Sequence, residues 1–486
     1  HEPSLPPLRE ASLKSSLPSR EGSREGESVP FKIPNGVSPD TPFVQILDVA
    51  TGTATFLVEV IDIIYKTMTA KWIREKRLEL EFDRLWNEYV PKHLLPRLYG
   101  YELMMAPYAI AHMKIGLKLY ETGYRFGSNE RAHVYLTNAL EPPSPLAEET
   151  AANLFEALGH EAQAVNAVKR DKRFTVVKGN PPYSVSSQNT GEWILTLLDL
   201  YKKAVRNERN IQPLSDDYIK FIRLAHLCLE QTHIGILGFI TNSAYLSGLI
   251  HRGMRSELLS CFCKLYLTDL RGSALFSNDS DLFIRDENVF DIRQGVAIGV
   301  FIKDYSDKST GALYRGDICG TRQQKYQALM SDRIDGQKFT VLKTQPPSFY
   351  LVPRNLTGNS EYEKYMMLTD VFPINSLGIE FGSKEAFLHD NRNTLKQLMR
   401  DMLLNPMVAD QELASIYGLQ TTSGWRFSDL RRKECIQRFQ DRNLRECLAS
   451  PFDVKFTYHS SILRRPQLDV LKNMHKKNLM ILSVRQ

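Results

Sequence analysis

"ILDVATGTATFL", residues 46–57, runs from apolar strand-like residues through an acidic residue and a Gly/Thr turn into the start of a helix. Small residues in such a turn let a ligand approach the backbone closely, and the free N–H groups of the helix start can receive a carboxylate or a phosphate. An ordinary strand-to-helix turn of a Rossmann-like sheet reads the same way, so the stretch speaks for a fold before it speaks for a ligand. A triphosphate loop requires Gly-Lys-Ser/Thr, and this turn has no lysine. A nicotinamide dinucleotide site needs further glycines that "GTATFL" lacks. The turn suits a smaller adenosine-containing ligand.

Outward from this stretch, strands and helices alternate, the pattern of a parallel sheet covered on both faces. Strands are predicted over 43–50, 97–103, 133–140 and 174–180, then in "HIGILGFITNSAYL", "KLYLTDLRG" and "GVAIGVFIK", making seven between residues 43 and 303. One long helix is predicted from Phe56 to Trp86, and another over "DDYIKFIRLAHLCLEQ". The expected fold class is α/β, a Rossmann-like, seven-stranded, mostly parallel sheet followed by a mixed α/β extension. In that extension "QPPSFYLVPR" reads as an edge strand, "SKEAFLHDNRNTLKQLMRDML" as a helix and "SDLRRKECIQRFQDRNLRECL" as a strongly basic helix.

Four regions follow. Residues 1–40, rich in Ser, Pro, Arg and Glu, are expected to be a disordered leader, since they cannot bury enough apolar area to offset their ordering entropy. Residues 41–305 are the expected catalytic core, 306–450 a mixed α/β extension leading towards target recognition, and 451–486 the opening of a recognition domain cut short. Hydrophobic content of 42% with 24% charged residues is that of a globular protein, and a net charge of +6 over 486 residues does not by itself identify a polyanionic partner. The six cysteines form no Cys-x-x-Cys pair and no zinc-like spacing, so no metal is expected and buried, reduced thiols of a cytoplasmic protein are. No apolar run is long enough to cross a bilayer.

Further strand ends carry chemistry. Glu102 ends the second predicted strand, where a carboxylate can take two ribose hydroxyls; a solvated glutamate would look the same. Asn138 ends the third, where an amide can bond an adenine edge or simply close a turn. "KGNPPYS", residues 178–184, ends the fourth. Its two prolines stop both helix and ladder and hold the loop rigid, while the Asn180 side chain and the Pro181 carbonyl offer two acceptors to a planar amino group. Tyr183 can stack on the ring carrying that amine. Hydrogen bonds to both protons favour the more nucleophilic nitrogen as charge develops, and the Pro-Cys pair of a covalent cytosine chemistry is missing.

The order Asp48…Gly52, Glu102, Asn138, Asn180-Pro181-Pro182-Tyr183 resembles that of N6-adenine DNA methyltransferases. More closely, "PFVQILDVATGTATFLVEVID", "LYGYELMMAPYAIAHMKIGLKL", "VVKGNPPYS", "GEWI", "DDYIKFIRLA", "GFITNSAYL", "RGMR" and "DENVFDIRQGVAIGVFIK" resemble the methyltransferase part of Type ISP restriction-modification enzymes, from about Pro42 to the C-terminus. The resemblance implies an S-adenosylmethionine-dependent methyltransferase fold and double-stranded DNA as partner, with nuclease and helicase-like ATPase domains on the same chain in the full-length family. It implies that Asp48, Thr51, Gly52, Thr55 and Phe56 line the methionine end of S-adenosylmethionine, Glu102 its ribose and Asn138 its adenine. Asn180, Pro181, Pro182 and Tyr183 would hold the N6 amine of a base flipped from the duplex. The family has Pro where this chain has Val49, and Gly where it has Ala54, whose methyl group is expected to crowd the cofactor if the backbone there requires φ > 0. Its upstream cofactor segment, a "YTP"-like stretch, has no counterpart before the first strand.

A catalytically impaired fragment that keeps the fold, and a protein-glutamine methyltransferase, since NPPY also suits a carboxamide, stay open as other readings. The basic segment containing Arg431, Arg432, Lys433, Arg438, Arg442 and Arg445 favours DNA, although a solvated helix face has the same composition.

Overall fold

The computed structural model describes residues 41–468 apart from short internal stretches, the longest being 144–155, 273–285 and 429–438. The chain divides into two compact units, one running to Arg354 and one from Asn355 onward.

The first unit is built on a nine-stranded sheet. Its strands are β1 (Ile46–Asp48), β2 (Leu98–Glu102), β3 (His133–Leu136), β4 (Val176–Gly179), β5 (Ile234–Asn242), β6 (Lys264–Asp269), β7 (Val296–Asp304), β8 (Ala312–Asp317) and β9 (Thr340–Leu342), in the spatial order β3-β2-β1-β4-β5-β7-β6-β8-β9. From β3 to β5 neighbours are parallel, whereas β7 runs antiparallel to both β5 and β6. β8 adds parallel to β6 and β9 antiparallel to β8, so the sheet extends two strands beyond the seven expected. Sequence order reverses between β1 and β4, which makes their carboxyl ends the topological switch point where ligands of open α/β sheets sit.

Alternate residues of the central strands feed two different cores, as the period of two demands. Ile46, Leu98, Val134 and partly buried Val176 face a cluster that holds α1 (Thr55–Arg74), α2 (Phe82–Tyr89) and α3 (Met105–Glu121) on one face. Leu47, Tyr99, Tyr135 and Val177 face a larger cluster that gathers the helices Glu192–Lys202, Asp217–Glu230 and Arg252–Cys261 on the other. The single helix expected from Phe56 to Trp86 is broken: Lys76 adopts φ 58°, and the three N–H groups of Glu75, Lys76 and Arg77 close α1 onto Lys71, Ile73 and Trp72. The break lets Trp86 turn back into the core, where its indole donates to Thr122 at 3.0 Å.

Residues 345–354 form a loop, not an edge strand. Pro346 and Pro347 have no N–H for a ladder and Phe349 bends to φ 48°. The loop is tied down instead by Leu351 N–H to Leu246 O (2.9 Å) and by buried Arg255, whose Nε donates to Ser348 O (2.9 Å). The same guanidinium donates to Tyr245 O and Gly248 O, which gives the arginine of the "RGMR" motif a structural task.

The second unit packs the helices Arg392–Leu404 and Asp410–Tyr417 with an antiparallel hairpin of β10 (Leu444–Ser450) and β11 (Asp453–Tyr458) around Leu395, Met399, Met402, Leu444 and Tyr458. The basic helix expected over 428–448 therefore cannot run to its end, because Leu444–Ser450 pairs as a strand. Arg442 sits in the short turn before that strand and Arg445 within it. Arg431, Arg432, Lys433 and Arg438 lie outside the described residues. Among the described cysteines all are free, but only Cys263 is buried and Cys319 is exposed. No helix of the described residues is long and apolar enough to cross a membrane.

Candidate functional site

The carboxyl ends of β1 to β4 lie side by side, with Asp48 in register with both Gly100 and Lys178, and Glu102 with Leu136. Asp48 is fully buried and its Oδ2 meets the Lys178 ammonium at 2.9 Å, while its Oδ1 accepts from Ala50 N–H at 3.3 Å. Burial is the largest influence on both partners, pushing the Asp48 carboxyl up and the Lys178 ammonium down, and their mutual attraction opposes it. The lysine also lies over the Phe56 ring, 4.7 Å from its centre.

Main-chain bonds shape the turn after β1. Val49 N–H donates to Lys178 O, Thr51 N–H to Tyr101 O and Ala54 N–H to Thr51 O, at 2.9–3.1 Å. Gly52, at φ 55° with open space where a Cβ would stand, donates to Glu102 Oε2 at 2.8 Å. Glu102 Oε1 accepts from Met104 N–H at 2.8 Å, so one carboxylate ties the turns after β1 and β2 together. Exposed Leu103 and Met104 leave apolar surface beside it. Thr51 is spent on structure: its hydroxyl donates to Asp48 O at 3.1 Å, and Gly100 must lack a Cβ because one would stand 2.5 Å from that hydroxyl. Thr55 is exposed and accepts from Lys114.

Ala54 does occupy a left-handed conformation, φ 61°, at the N-cap of α1. Its methyl group, however, is wholly buried in the apolar cluster with Leu57 and Ile61, so it does not fill the open side of the turn at Gly52. The condition set in the sequence, a backbone at φ > 0, is met, and the substitution carries backbone strain.

Beside this turn, the loop after β4 starts with Asn180 exposed and Pro181 buried. Gly179 sits so close to β1 that a Cβ would stand 3.2 Å from Val49 Cγ2 and 3.6 Å from Asp48 Oδ1. Tyr183 is half-buried, its ring edge-on to Tyr218 at 6.1 Å, and its hydroxyl donates to Asn180 Oδ1 at 3.2 Å. Burial raises the pKa of that phenol, which keeps it a neutral donor.

The next turn of the loop is held by side chains that the sequence did not single out. Asp216 Oδ1 accepts from Ser184 N–H at 2.8 Å; Asp217 Oδ1 accepts from Ser187 Oγ at 2.5 Å and from Asn189 Nδ2 at 3.0 Å. Lys220, 1% exposed, donates to Ser187 Oγ and, at 2.7 Å, to Asn189 O. The signal was present in "DDYIK", two acids and a lysine opening a helix whose other residues are mostly apolar. Asn138 joins the same set: its Nδ2 donates to Asn189 Oδ1 and Glu141 Oε1, both at 3.0 Å, and its Oδ1 accepts from Leu140 N–H. Lys169 donates to Asn138 O at 2.7 Å, with its pKa pushed down to about 8 by burial.

The strand order with a reversed β7, the acidic turn at the switch point and the proline loop beside it define a Rossmann-like methyltransferase fold. A family model described as the Eco57I restriction-modification methylase matches residues 97–276, and one described as the Type ISP C-terminal specificity domain matches residues 370–486. The chain thus resembles a restriction-modification methylase over one stretch and a Type ISP specificity domain over another.

Solved structures similar to it include the ATP-dependent Type ISP restriction-modification enzyme LlaBIII bound to DNA, at 21% identity and a TM-score of 0.64 over 88% of this chain and 28% of that one. A nuclease-deletion mutant of the Type ISP enzyme LlaGI in complex with a DNA substrate mimic gives 20% identity and a TM-score of 0.63, over 88% and 35%. The DrdV–DNA complex gives 18% and 0.58, over 86% and 40%. At such identities the likeness is one of fold, and the chain spans between 28% and 40% of the length of these proteins. No curated protein matches it.

Proposed function

We propose that the first unit transfers a methyl group from S-adenosylmethionine to N6 of an adenine turned out of duplex DNA, within a restriction-modification system, and that the second unit takes part in reading the target. The observation that carries this is the juxtaposition at the switch point. Asp48 and Lys178 pair across β1 and β4, and the missing Cβ of Gly179 lets the amine-binding loop lie directly on the acidic turn.

The residues present fit the cofactor. Glu102 is an acceptor-only carboxylate suited to two ribose hydroxyls, Gly52 leaves its turn open, and Leu103 offers apolar surface for a purine. Asn138 supplies an amide for the adenine edge. When bound, the sulfonium supplies the activated methyl group. Asn180 Oδ1 and the Pro181 carbonyl accept the two N6 protons and hold the nitrogen lone pair in line, and Pro182 keeps the loop stiff. Tyr183 has two tasks, stacking on the target base and fixing the Asn180 carboxamide through its hydroxyl.

Incubation with duplex DNA and methyl-labelled S-adenosylmethionine should leave label on adenine N6. Asn180→Ala should cut transfer by about two to three orders of magnitude with the melting temperature unchanged. Label on protein glutamine would overturn the adenine assignment, and micromolar cofactor affinity would sink the reading of an impaired fragment.

A further inference from the structure

Hydrogen-bond polarity across the two halves of the site is fixed by chemistry. Asp217 can only accept, so the Asn189 amide must turn its NH2 group towards Asp217 Oδ1 (3.0 Å), which leaves its oxygen for Asn138. Asn138 Oδ1 accepts from Leu140 N–H at 3.0 Å, so the Asn138 NH2 group must point at Glu141 Oε1 and Asn189 Oδ1. Neither amide can flip without facing like against like. Both protons of Asn138 are thereby committed, and one is committed to the loop that begins with Asn180.

Asn189 is the hub of this set. Its N–H donates to Ser187 Oγ (3.0 Å), its O accepts from Lys220 (2.7 Å), and its amide joins Asp217 to Asn138. Asp217 and Lys220 are 6% and 1% exposed, so the partly buried bonds they make with Asn189 are costly to lose.

We infer that Asn189 is a positioning residue that couples the target-base pocket to the cofactor pocket: it orients Asn138 according to the position of the loop after β4. For Asn138 to donate to an adenine ring nitrogen it must release one present acceptor, and whether Asn189 lets go depends on where a base has set the loop. Coupling of this kind is reciprocal, so a filled base pocket alters cofactor affinity by the factor that the cofactor alters base affinity. The inference rests on the methyltransferase proposal above.

The test titrates the whole chain with S-adenosylhomocysteine, with and without saturating short single-stranded oligodeoxyadenylate. The oligonucleotide should change S-adenosylhomocysteine affinity at least about 5-fold in the unaltered chain, and the factor should fall to near one in Asn189→Ala. Asn189→Asp, which keeps an acceptor for Asn138 but repels Asp217, should uncouple as well. Should Asn189→Ala melt early, Ser187→Ala removes a single hydroxyl from the set and carries the same comparison. An unchanged factor in these variants, or no factor in an unaltered chain that binds both probes, would overturn the coupling. Failure of the unaltered chain to bind S-adenosylhomocysteine at all would instead sink the methyltransferase proposal, and the coupling with it.

Discussion

The turn after β1 and the loop after β4 stand against each other at the switch point, yet they are held by different means. Main-chain bonds fix most of the turn, with the carboxylates of Asp48 and Glu102 and the Thr51 hydroxyl each closing one further bond. The loop depends on side chains borrowed from the helix Asp217–Glu230, namely Asp217 and Lys220, with Asp216 at its N-cap. A turn made by backbone tolerates changes to most of its side chains, whereas a loop made by side chains responds to each of them. Under the proposed function, the half held by backbone would take the cofactor and the half held by side chains the target base.

The largest expected effect lies where the halves meet. Asp48→Asn leaves Lys178 buried without its counter-charge and should cost roughly 3–5 kcal/mol in denaturant unfolding. Adding Lys178→Met should recover much of it; no recovery would mean that the pair is not what joins the strands. Next is Glu102→Ala, which removes the acceptor of two N–H groups and should weaken S-adenosylhomocysteine binding by about 10- to 100-fold, with oligodeoxyadenylate binding measured alone little changed. Equal losses on both sides would erase the distinction between the halves.

Acid tests the support under the loop. His226, on the helix that carries Asp217, bonds the Tyr201 hydroxyl at 3.0 Å, and burial, with Arg223 and Lys303 nearby, holds its pKa down to about 3 from 6.5. Between those values the unfolded chain binds a proton that the folded chain refuses. Stability present above pH 6.5 is therefore lost on acidification, at up to about 1.4 kcal/mol per pH unit. In His226→Gln the unfolding free energy should depend less on pH across this range; an identical slope would clear His226. The smallest effect is expected at Ala54→Gly. Relief of left-handed strain, about 1–2 kcal/mol, is offset by the lost buried methyl, about 0.8 kcal/mol, and by added unfolded-state freedom, about 0.4–1 kcal/mol. The net change should stay within about 1 kcal/mol, and a larger gain would put more strain in the turn than its bonds suggest.

Strands β1 to β7 were legible because largely buried strands read as short apolar runs between turn residues. β8 was not, since "ALYRGD" carries an arginine whose burial depends, besides the neighbouring Asp317, on Asp269 and the Leu351 carbonyl, partners that folding alone brings near. The break at Lys76 left no glycine or proline to mark it. In the site, the residues at strand ends could be read locally. The link from Asn138 to Asn189 spans 51 positions and could not, because neither asparagine has a local pattern that distinguishes it from a turn residue.

The open border of the large sheet has a consequence for how the molecule lives in solution. β9 offers only three residues, and the prolines expected inside an edge strand instead stand just past its end, after Lys343. Unpaired N–H and C=O groups along an outer strand are a template on which another polypeptide can zip. Here the row is too short and too soon interrupted to seed that growth, so the β9 edge carries little hazard of fibril-like stacking.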